Sequence, residues 1–297
     1  MAARRFTMSM IQFKVGEDKC ENIRRAVCFI KAAVKNGSNL VALPECFNSP
    51  YGTGYFKQYA EPIPTGETSC ALSKVAKECG VYVVGGSIPE SDGCSFYNTC
   101  TVWNPSGELI ARHRKVHLFD IDIPGGISFK ESDVLSAGNN LTTFQTDVCK
   151  IGLGICYDLR FEEMGRLYRR QDCDMILYPG AFNMTTGPSH WETMLRARAI
   201  DNQVFVGGIA PATDQCASYV SYGHSMLVSP WGRILARAEY EEAILYANID
   251  IDEVHTVRGQ IPTEKQRRHD IYETINKMCV PSVQKPCSPK PFKKRTK

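Results

Sequence analysis

Three residues far apart in the chain have side chains that could act together on an amide: Cys156 in "GLGICYDLRFEE", Glu45 in "LVALPECFN" and Lys115 in "ARHRKVHLF". A thiol becomes a good nucleophile when a base takes its proton or a nearby cation lowers its pKa. A carboxylate can be that base and can later activate water. An ammonium can hold the negative charge that develops on a carbonyl oxygen, jointly with the backbone N–H of Tyr157. The combination suits covalent acyl transfer at an amide or nitrile carbon. Taken singly, such residues are more often a packed thiol, a satisfied strand-end carboxylate and a solvated lysine. The case therefore rests on the elements that carry them.

Residues 149 to 155 read as a strand and a helix begins near 161, so Cys156 sits at a strand-turn-helix corner. Such a corner exposes a nucleophile and points the N–H groups of the coming helix at whatever it attacks. Upstream, "FTMSMIQF" (6 to 13) and "NLVAL" (39 to 43) read as strands. Between them Ile23, Val27, Ile30 and Val34 recur at helical spacing before Gly37. A second helix over 66 to 79 puts Leu72, Val75, Ala76 and Cys79 on one face and stops at Gly80. "VYVVGGSI" and "NTCTVWNPSGELIARH" then read as strands, the latter a pair joined by an Asn-Pro-Ser-Gly turn.

The pattern then comes round again. "LVALPECFN" (40 to 48) resembles "MILYPGAFN" (175 to 183), "VYVVGGSIPE" (81 to 90) resembles "QVFVGGIAPA" (203 to 212), and "NPSGELIAR" (104 to 112) resembles "SPWGRILAR" (229 to 237). The order is kept, as a duplication would keep it. Two such halves, each a mixed sheet with helices on one face, predict an α/β fold: a four-layer α-β-β-α sandwich with an internal pseudo-twofold repeat. Where the halves differ at a strand end, chemistry is the better explanation. Glu45 faces Gly180, the Lys115 segment faces Ala238-Glu239-Tyr240, and Cys156 faces Phe13 in a weaker match. Strand ends are where open α/β sheets place their ligands.

Composition narrows the rest. The 297 residues, 43% hydrophobic and 23% charged, suit a globular protein. Thirteen cysteines, an odd number with no C-x-x-C pair, read as reduced thiols rather than a disulfide framework, zinc ribbon or redox site. The start lacks an apolar signal core, and no run nears the roughly 20 apolar residues of a membrane span, which predicts a soluble cytoplasmic protein. Residues 275–297 carry seven basic and no acidic side chains, leaving 28 basic against 32 acidic in the rest. The expected division is thus a catalytic domain over 1–274 and a basic, disordered tail over 275–297. A mildly acidic body argues against nucleic acid as a partner. The Gly-Gly pairs at 85 and 207 lack the spacing of a nucleotide fingerprint.

"LPECF", "HRKVHLF" and "GICYDLRF" together resemble the three signatures of the nitrilase superfamily of carbon-nitrogen hydrolases, from about residue 5 to 273. The resemblance implies a Glu45-Lys115-Cys156 triad on an α-β-β-α sandwich. It also implies a second glutamate, Glu131 in "GISFKESDVLSAG", that positions the lysine, and no metal or organic cofactor. Within the superfamily, "LFDIDIPGGISFKES", "YPGAFNMTTGPSHWE" and "RARAIDNQVFV" are most similar to the omega-amidase branch. That branch hydrolyses the terminal amides of alpha-ketoglutaramate and alpha-ketosuccinamate, which implies a small anionic amide substrate and a homodimer or higher homo-oligomer. An anionic substrate needs basic or hydroxyl groups, for which Arg160, Arg170, Tyr51 and Tyr55 are candidates, with His117 a pocket wall. Readings left open are a Cys-His hydrolase using His117 or His224, a metal-dependent nuclease on a similar sandwich, and a partner-binding member with little activity. Deaminated-glutathione amidase and carbamoyl-amino-acid hydrolase remain alternatives within the superfamily.

Overall fold

A computed structural model describes residues 4–277; of the tail expected over 275–297, all but the first three residues lie outside the described residues. The chain runs through β1 (Arg5–Gln12), α1 (Lys19–Lys35), β2 (Leu40–Ala42), α2 (Thr53–Tyr59), α3 (Glu67–Cys79), β3 (Tyr82–Val84), β4 (Ile88–Asp92), β5 (Ser95–Trp103) and β6 (Leu109–Arg114). A short hairpin, β7 (Asp120–Asp122) and β8 (Ser128–Lys130), leads to β9 (Thr142–Gln145), β10 (Lys150–Leu153), α4 (Glu162–Arg170), β11 (Met175–Pro179), α5 (Gly187–Asn202) and β12 (Phe205–Ile209). It finishes with β13 (Met226–Val228), β14 (Ile234–Arg237), β15 (Ala243–Asp250), α6 (Asp252–Gln260) and α7 (Thr263–Gln266).

One sheet has the order β15-β1-β2-β3-β5-β4 with β6 against β5, and the other the order β14-β13-β12-β11-β10-β9. In the first, β1, β2 and β3 are mutually parallel and β5 and β6 follow antiparallel. In the second, β10, β11 and β12 are parallel and β13 and β14 follow antiparallel. The segments that resemble one another in sequence take matching places: 40 to 48 starts on β2 and 175 to 183 on β11, each the middle strand of a parallel triplet.

Side-chain alternation builds the layers. Met8, Met10, Leu40, Ala42, Val84 and Val102 pack with Ile151, Leu153, Leu177 and Phe205 of the other sheet. Their neighbours Ile11, Val41, Val83 and Trp103 pack instead with Ala26, Ile30 and Ala33 of α1 and Leu72, Val75 and Ala76 of α3. The second sheet is two-faced as well. A Cβ on Gly207 would meet Met10 of the first sheet, whereas one on Gly208 would meet Trp191 and Leu195 of α5. The layers are therefore α, β, β, α, and strands buried on both faces are mostly apolar, as parallel sheets require.

Pattern and structure agree on most elements. Helix α1 starts at an Asp18 cap whose side chain accepts from the Glu21 N–H, and α3 stops at Gly80 in a left-handed conformation. The strand-turn-helix corner at Cys156 is present, but its N–H groups have a different source from the one expected. Strand β10 ends at Leu153, a 3-10 turn spans Cys156–Arg160, and α4 begins only at Glu162. The N–H groups beside the sulfur therefore belong to this tight turn, not to the α-helix. Helix α2 and the β7-β8 hairpin were not expected. No helix among the described residues is long and apolar enough to cross a membrane.

Candidate active site

Glu45 follows β2, Lys115 follows β6, and Cys156 follows β10. The ends of these strands converge, and all three side chains are buried. Lys115 Nζ lies 3.0 Å from Glu45 Oε1 and 2.9 Å from Glu131 Oε2. Glu131 opens a 3-10 turn just after the β7-β8 hairpin, where its Oε2 also accepts from the Phe119 N–H at 2.7 Å. Asn98 of β5 donates to Glu45 Oε1 at 2.9 Å and reaches Glu131 Oε1 at 3.4 Å. On its other oxygen Glu45 accepts from the Ala181 N–H at 2.8 Å.

The Glu45 carboxylate is close enough to the Cys156 thiol to raise its pKa. Cys156 has φ 47°, a left-handed conformation that turns its side chain out of the strand direction. Gly180, the residue the sequence pairs with Glu45, leaves room for this: a Cβ there would stand 3.2 Å from the Cys156 Cα and from Trp191.

Burial raises the pKa of Cys156, and the adjacent Glu45 charge raises it further against the opposing pull of Lys115. The resting sulfur is a thiol. Glu45 is also raised, first by burial and then by Glu131, with Lys115 opposing. Burial opposes the charge on Lys115, but Glu131 and Glu45 together outweigh it and push its pKa well above the ordinary lysine value. The site thus holds a firm cation, a base of increased proton affinity and a neutral nucleophile.

A cavity of about 360 Å³ reaches Glu45, and Tyr51, Tyr55, Ser49, Tyr219 and Ser221 are among the residues that line it. Tyr51 brings its hydroxyl to 3.5 Å from Lys115 Nζ and packs on Tyr219, ring centroids 4.5 Å apart. Phe129 of β8 stacks on Tyr51 at 5.6 Å, so the hairpin closes one side.

The other residues expected to meet substrate stand elsewhere, and none of them lines this cavity. Arg170 pairs with Glu273 and the Thr274 carbonyl on the exposed side of α4. Arg160 shares a hydrogen bond with His190 at 3.1 Å and lies over the rings of Phe182 and Tyr157. His117 stacks on Phe161 with centroids 3.7 Å apart and gives its Nδ1 to Asp158. Each is held by a local partner, which is why a cation near the nucleophile in sequence does not reach the cavity. No lysine or arginine is among the described lining residues, and Glu17 and Asp214 are. Tyr157, whose N–H was the expected oxyanion donor, directly follows Cys156 in the turn. His224 lies against Tyr222 and pairs with Glu239 at 3.2 Å.

Sequence reasoning missed Asn98, Tyr219 and Asp158. Asn98 is an ordinary strand residue until the hairpin returns Glu131 beside it, and Tyr219 comes from an irregular loop, donating to the Ala181 carbonyl at 2.6 Å. Asp158 could have been noticed as an acid two residues beyond the nucleophile. Among the described residues no group of three or more His, Cys, Asp or Glu side chains is arranged so that it could hold a metal ion.

Residues 7–259 match the carbon-nitrogen hydrolase family. The chain is 55% identical over 273 residues to a Xenopus tropicalis protein named omega-amidase NIT2, covering 92% of this chain and 99% of that one. It is 53% identical over 267 residues to the Homo sapiens protein of the same name, covering 90% and 96%. Among solved structures, Saccharomyces cerevisiae Nit3, a member of branch 10 of the nitrilase superfamily, matches with a TM-score of 0.82 at 42% identity over 89% of this chain and 97% of that one. The C. elegans NitFhit protein matches with a TM-score of 0.83 at 31% identity over 92% of this chain and 68% of that one.

Proposed function

Because the chain belongs to the carbon-nitrogen hydrolase family, matched over residues 7–259, we propose that it is a cysteine-dependent amidase of the omega-amidase type. Its substrates would be short dicarboxylate monoamides, alpha-ketoglutaramate and alpha-ketosuccinamate, hydrolysed through a thioester. The observation that carries this reading is the convergence of one thiol, two carboxylates and one ammonium, all buried, beside a cavity of small-molecule size. The two relatives named omega-amidase NIT2 support the choice of amide.

In this mechanism Glu45 takes the Cys156 proton as the sulfur attacks the amide carbon. A base is needed because burial keeps the thiol protonated. The oxyanion forms between the Lys115 ammonium and the Tyr157 N–H, donors whose orientation is set before reaction. Glu131 holds Lys115 in place through its 2.9 Å ion pair. As the tetrahedral species collapses, the C–N bond breaks and the proton from Glu45 leaves with ammonia. Water, giving a proton to Glu45, then attacks the thioester. The C–S bond breaks, the acid departs, and the proton returns to sulfur.

With no cation on the cavity lining, the hydroxyls of Tyr51, Tyr55 and Tyr219 are the groups proposed to receive the substrate carboxylate. Ammonia release from alpha-ketoglutaramate, glutamine, deaminated glutathione, N-carbamoyl-beta-alanine and a simple nitrile tests the assignment. Alpha-ketoglutaramate should be preferred, and Cys156→Ala should abolish turnover while the far-UV dichroism stays unchanged. Turnover surviving in that variant would overturn the mechanism, and a preference for another amide would overturn the substrate. The proposed setting is the cytoplasm and the proposed assembly a homodimer.

A further inference from the structure

Lys115 lies between two histidines, His113 and His117, whose rings turn to one carboxylate, Asp158, two residues beyond Cys156. His113 Nε2 is 3.2 Å from Asp158 Oδ2, and His117 Nδ1 is 2.8 Å from Oδ1. Two backbone amides complete the set: the Ile155 N–H donates to Oδ2 and the His117 N–H to Oδ1, each at 2.9 Å. Asp158 and His113 are fully buried. An ionised carboxylate has about four acceptor sites, and here four donors occupy them. An ionised carboxylate only accepts, so His113 Nε2 carries a proton toward Asp158, and the Thr142 hydroxyl stands 3.1 Å from His113 Nδ1. Burial opposes the charge on Asp158, but hydrogen bonds from His113 and His117 outweigh it and hold its pKa well below the usual carboxylate range.

These donors come from the two segments that carry the proposed chemistry. Ile155 leads into the Cys156 turn, and the histidines bracket Lys115 two residues on either side. The left-handed conformation of Cys156 is strained and persists only where its surroundings determine it. The Asp158 network supplies such a determinant. His117 is further braced by its stacking on Phe161.

We infer that Asp158 is a positioning residue: it pins the turn bearing Cys156 to the strand end bearing Lys115, and so sets where the sulfur stands relative to the oxyanion's cation. The inference rests on the roles proposed above for Cys156 and Lys115. Asparagine in its place has the same shape but offers one carbonyl oxygen and an NH₂ to four donors. At least one buried donor then faces another donor, and the turn is released.

The test uses the full-length chain and two readouts per folded molecule, with the folded fraction taken from far-UV dichroism. One is steady-state amide turnover; the other is the pH dependence of Cys156 alkylation by iodoacetamide, resolved by peptide mass spectrometry. Asp158→Asn should lower kcat about 10- to 100-fold, the scale of an ångström-sized misplacement, with KM within about threefold and a shifted alkylation profile. His117→Ala should lower kcat in the same way. His117→Asn, whose amide N–H can still reach Oδ1, should recover most of the loss.

Wild-type kcat and alkylation in folded Asp158→Asn would overturn the inference. So would a loss of activity that only follows the unfolded fraction, since that is a purely structural role. If Asp158→Asn does not fold, the His117 pair decides: wild-type kcat in His117→Ala, or no recovery in His117→Asn, overturns it. Cys156→Ala separates this outcome from failure of the proposed mechanism, because turnover in that variant would discredit the nucleophile itself.

Discussion

One ammonium faces two carboxylates and a thiol, all of them buried, and this imbalance governs how the site titrates. Lys115 is held protonated by Glu131 and Glu45 despite its burial, so loss of its proton should not limit catalysis below the ordinary lysine range, about 10. Glu45 is the group with room to change: burial and Glu131 raise its pKa. As a base it works only when deprotonated, so kcat/KM should rise with pH along a limb lying above the ordinary glutamate value of about 4.3. A profile measured alongside dichroism checks this, and a limb at or below that value in folded enzyme would sink it. Asp158 is shifted the other way. Its depressed folded pKa adds stability that is fully present above the unfolded value, about 3.9, and is lost as pH falls from there toward the folded value. Asp158→Asn should therefore cost most near neutrality, and the gap in urea midpoint from wild type should narrow below about pH 4. A gap that stays constant from pH 7 to 3 would mean that the carboxylate's charge contributes nothing.

At the scale of elements, the site depends on strand ends that approach closely, and glycines mark where. Gly86, just past β3, has φ 56°, and a Cβ on it would lie 2.1 Å from the Pro44 carbonyl oxygen, next to Glu45. Gly93, in the turn between β4 and β5, has φ 61° but nothing within 4 Å of that Cβ. Both alanine variants incur the left-handed strain of about 1–3 kcal/mol; only Gly86→Ala adds an overlap with backbone, costing about 1–3 kcal/mol more. Gly86→Ala should be the less stable of the two in urea and should also lose activity, whereas Gly93→Ala should keep wild-type kcat. Equal midpoints would show that the Pro44 segment yields easily. The strands themselves were legible because alternation and β-branched runs are local signals. Glu45, Lys115 and Cys156 were legible because each departs from its matched segment at a strand end. The 3-10 turn after Cys156 was not: its course follows from Asp158 meeting His113 and His117, contacts 45 and 41 residues apart in sequence. Arg160 and Arg170 show the same limit, since a long cation goes to whichever carboxylate, imidazole or ring the tertiary fold brings near.

For the whole molecule, two sheets face each other and helices cover their outer faces, so most of the apolar surface is satisfied within one chain. An exception lies on the second sheet's edge strand, β14, where Ile234 and Leu235 are exposed. Trp231 is 45% and Ile200 52% exposed, and the Ile200 side chain approaches Gly232, so these residues form one neighbourhood with the end of α5. An exposed edge strand with large apolar side chains invites pairing with another chain, and a self-complementary contact gives a closed dimer. The homodimer proposed above should therefore use this region. Trp231→Glu combined with Leu235→Lys would place charges where the two copies meet without touching the buried core. Sedimentation should then change from dimer to monomer, while the far-UV dichroism is retained. If the double variant stays dimeric at micromolar concentration, the interface lies elsewhere on the surface. If the wild-type chain sediments as a monomer, the Glu45-Lys115-Cys156 site must function within one copy. If wild type is a dimer and the double variant a monomer, comparing their kcat values shows whether assembly supports that site.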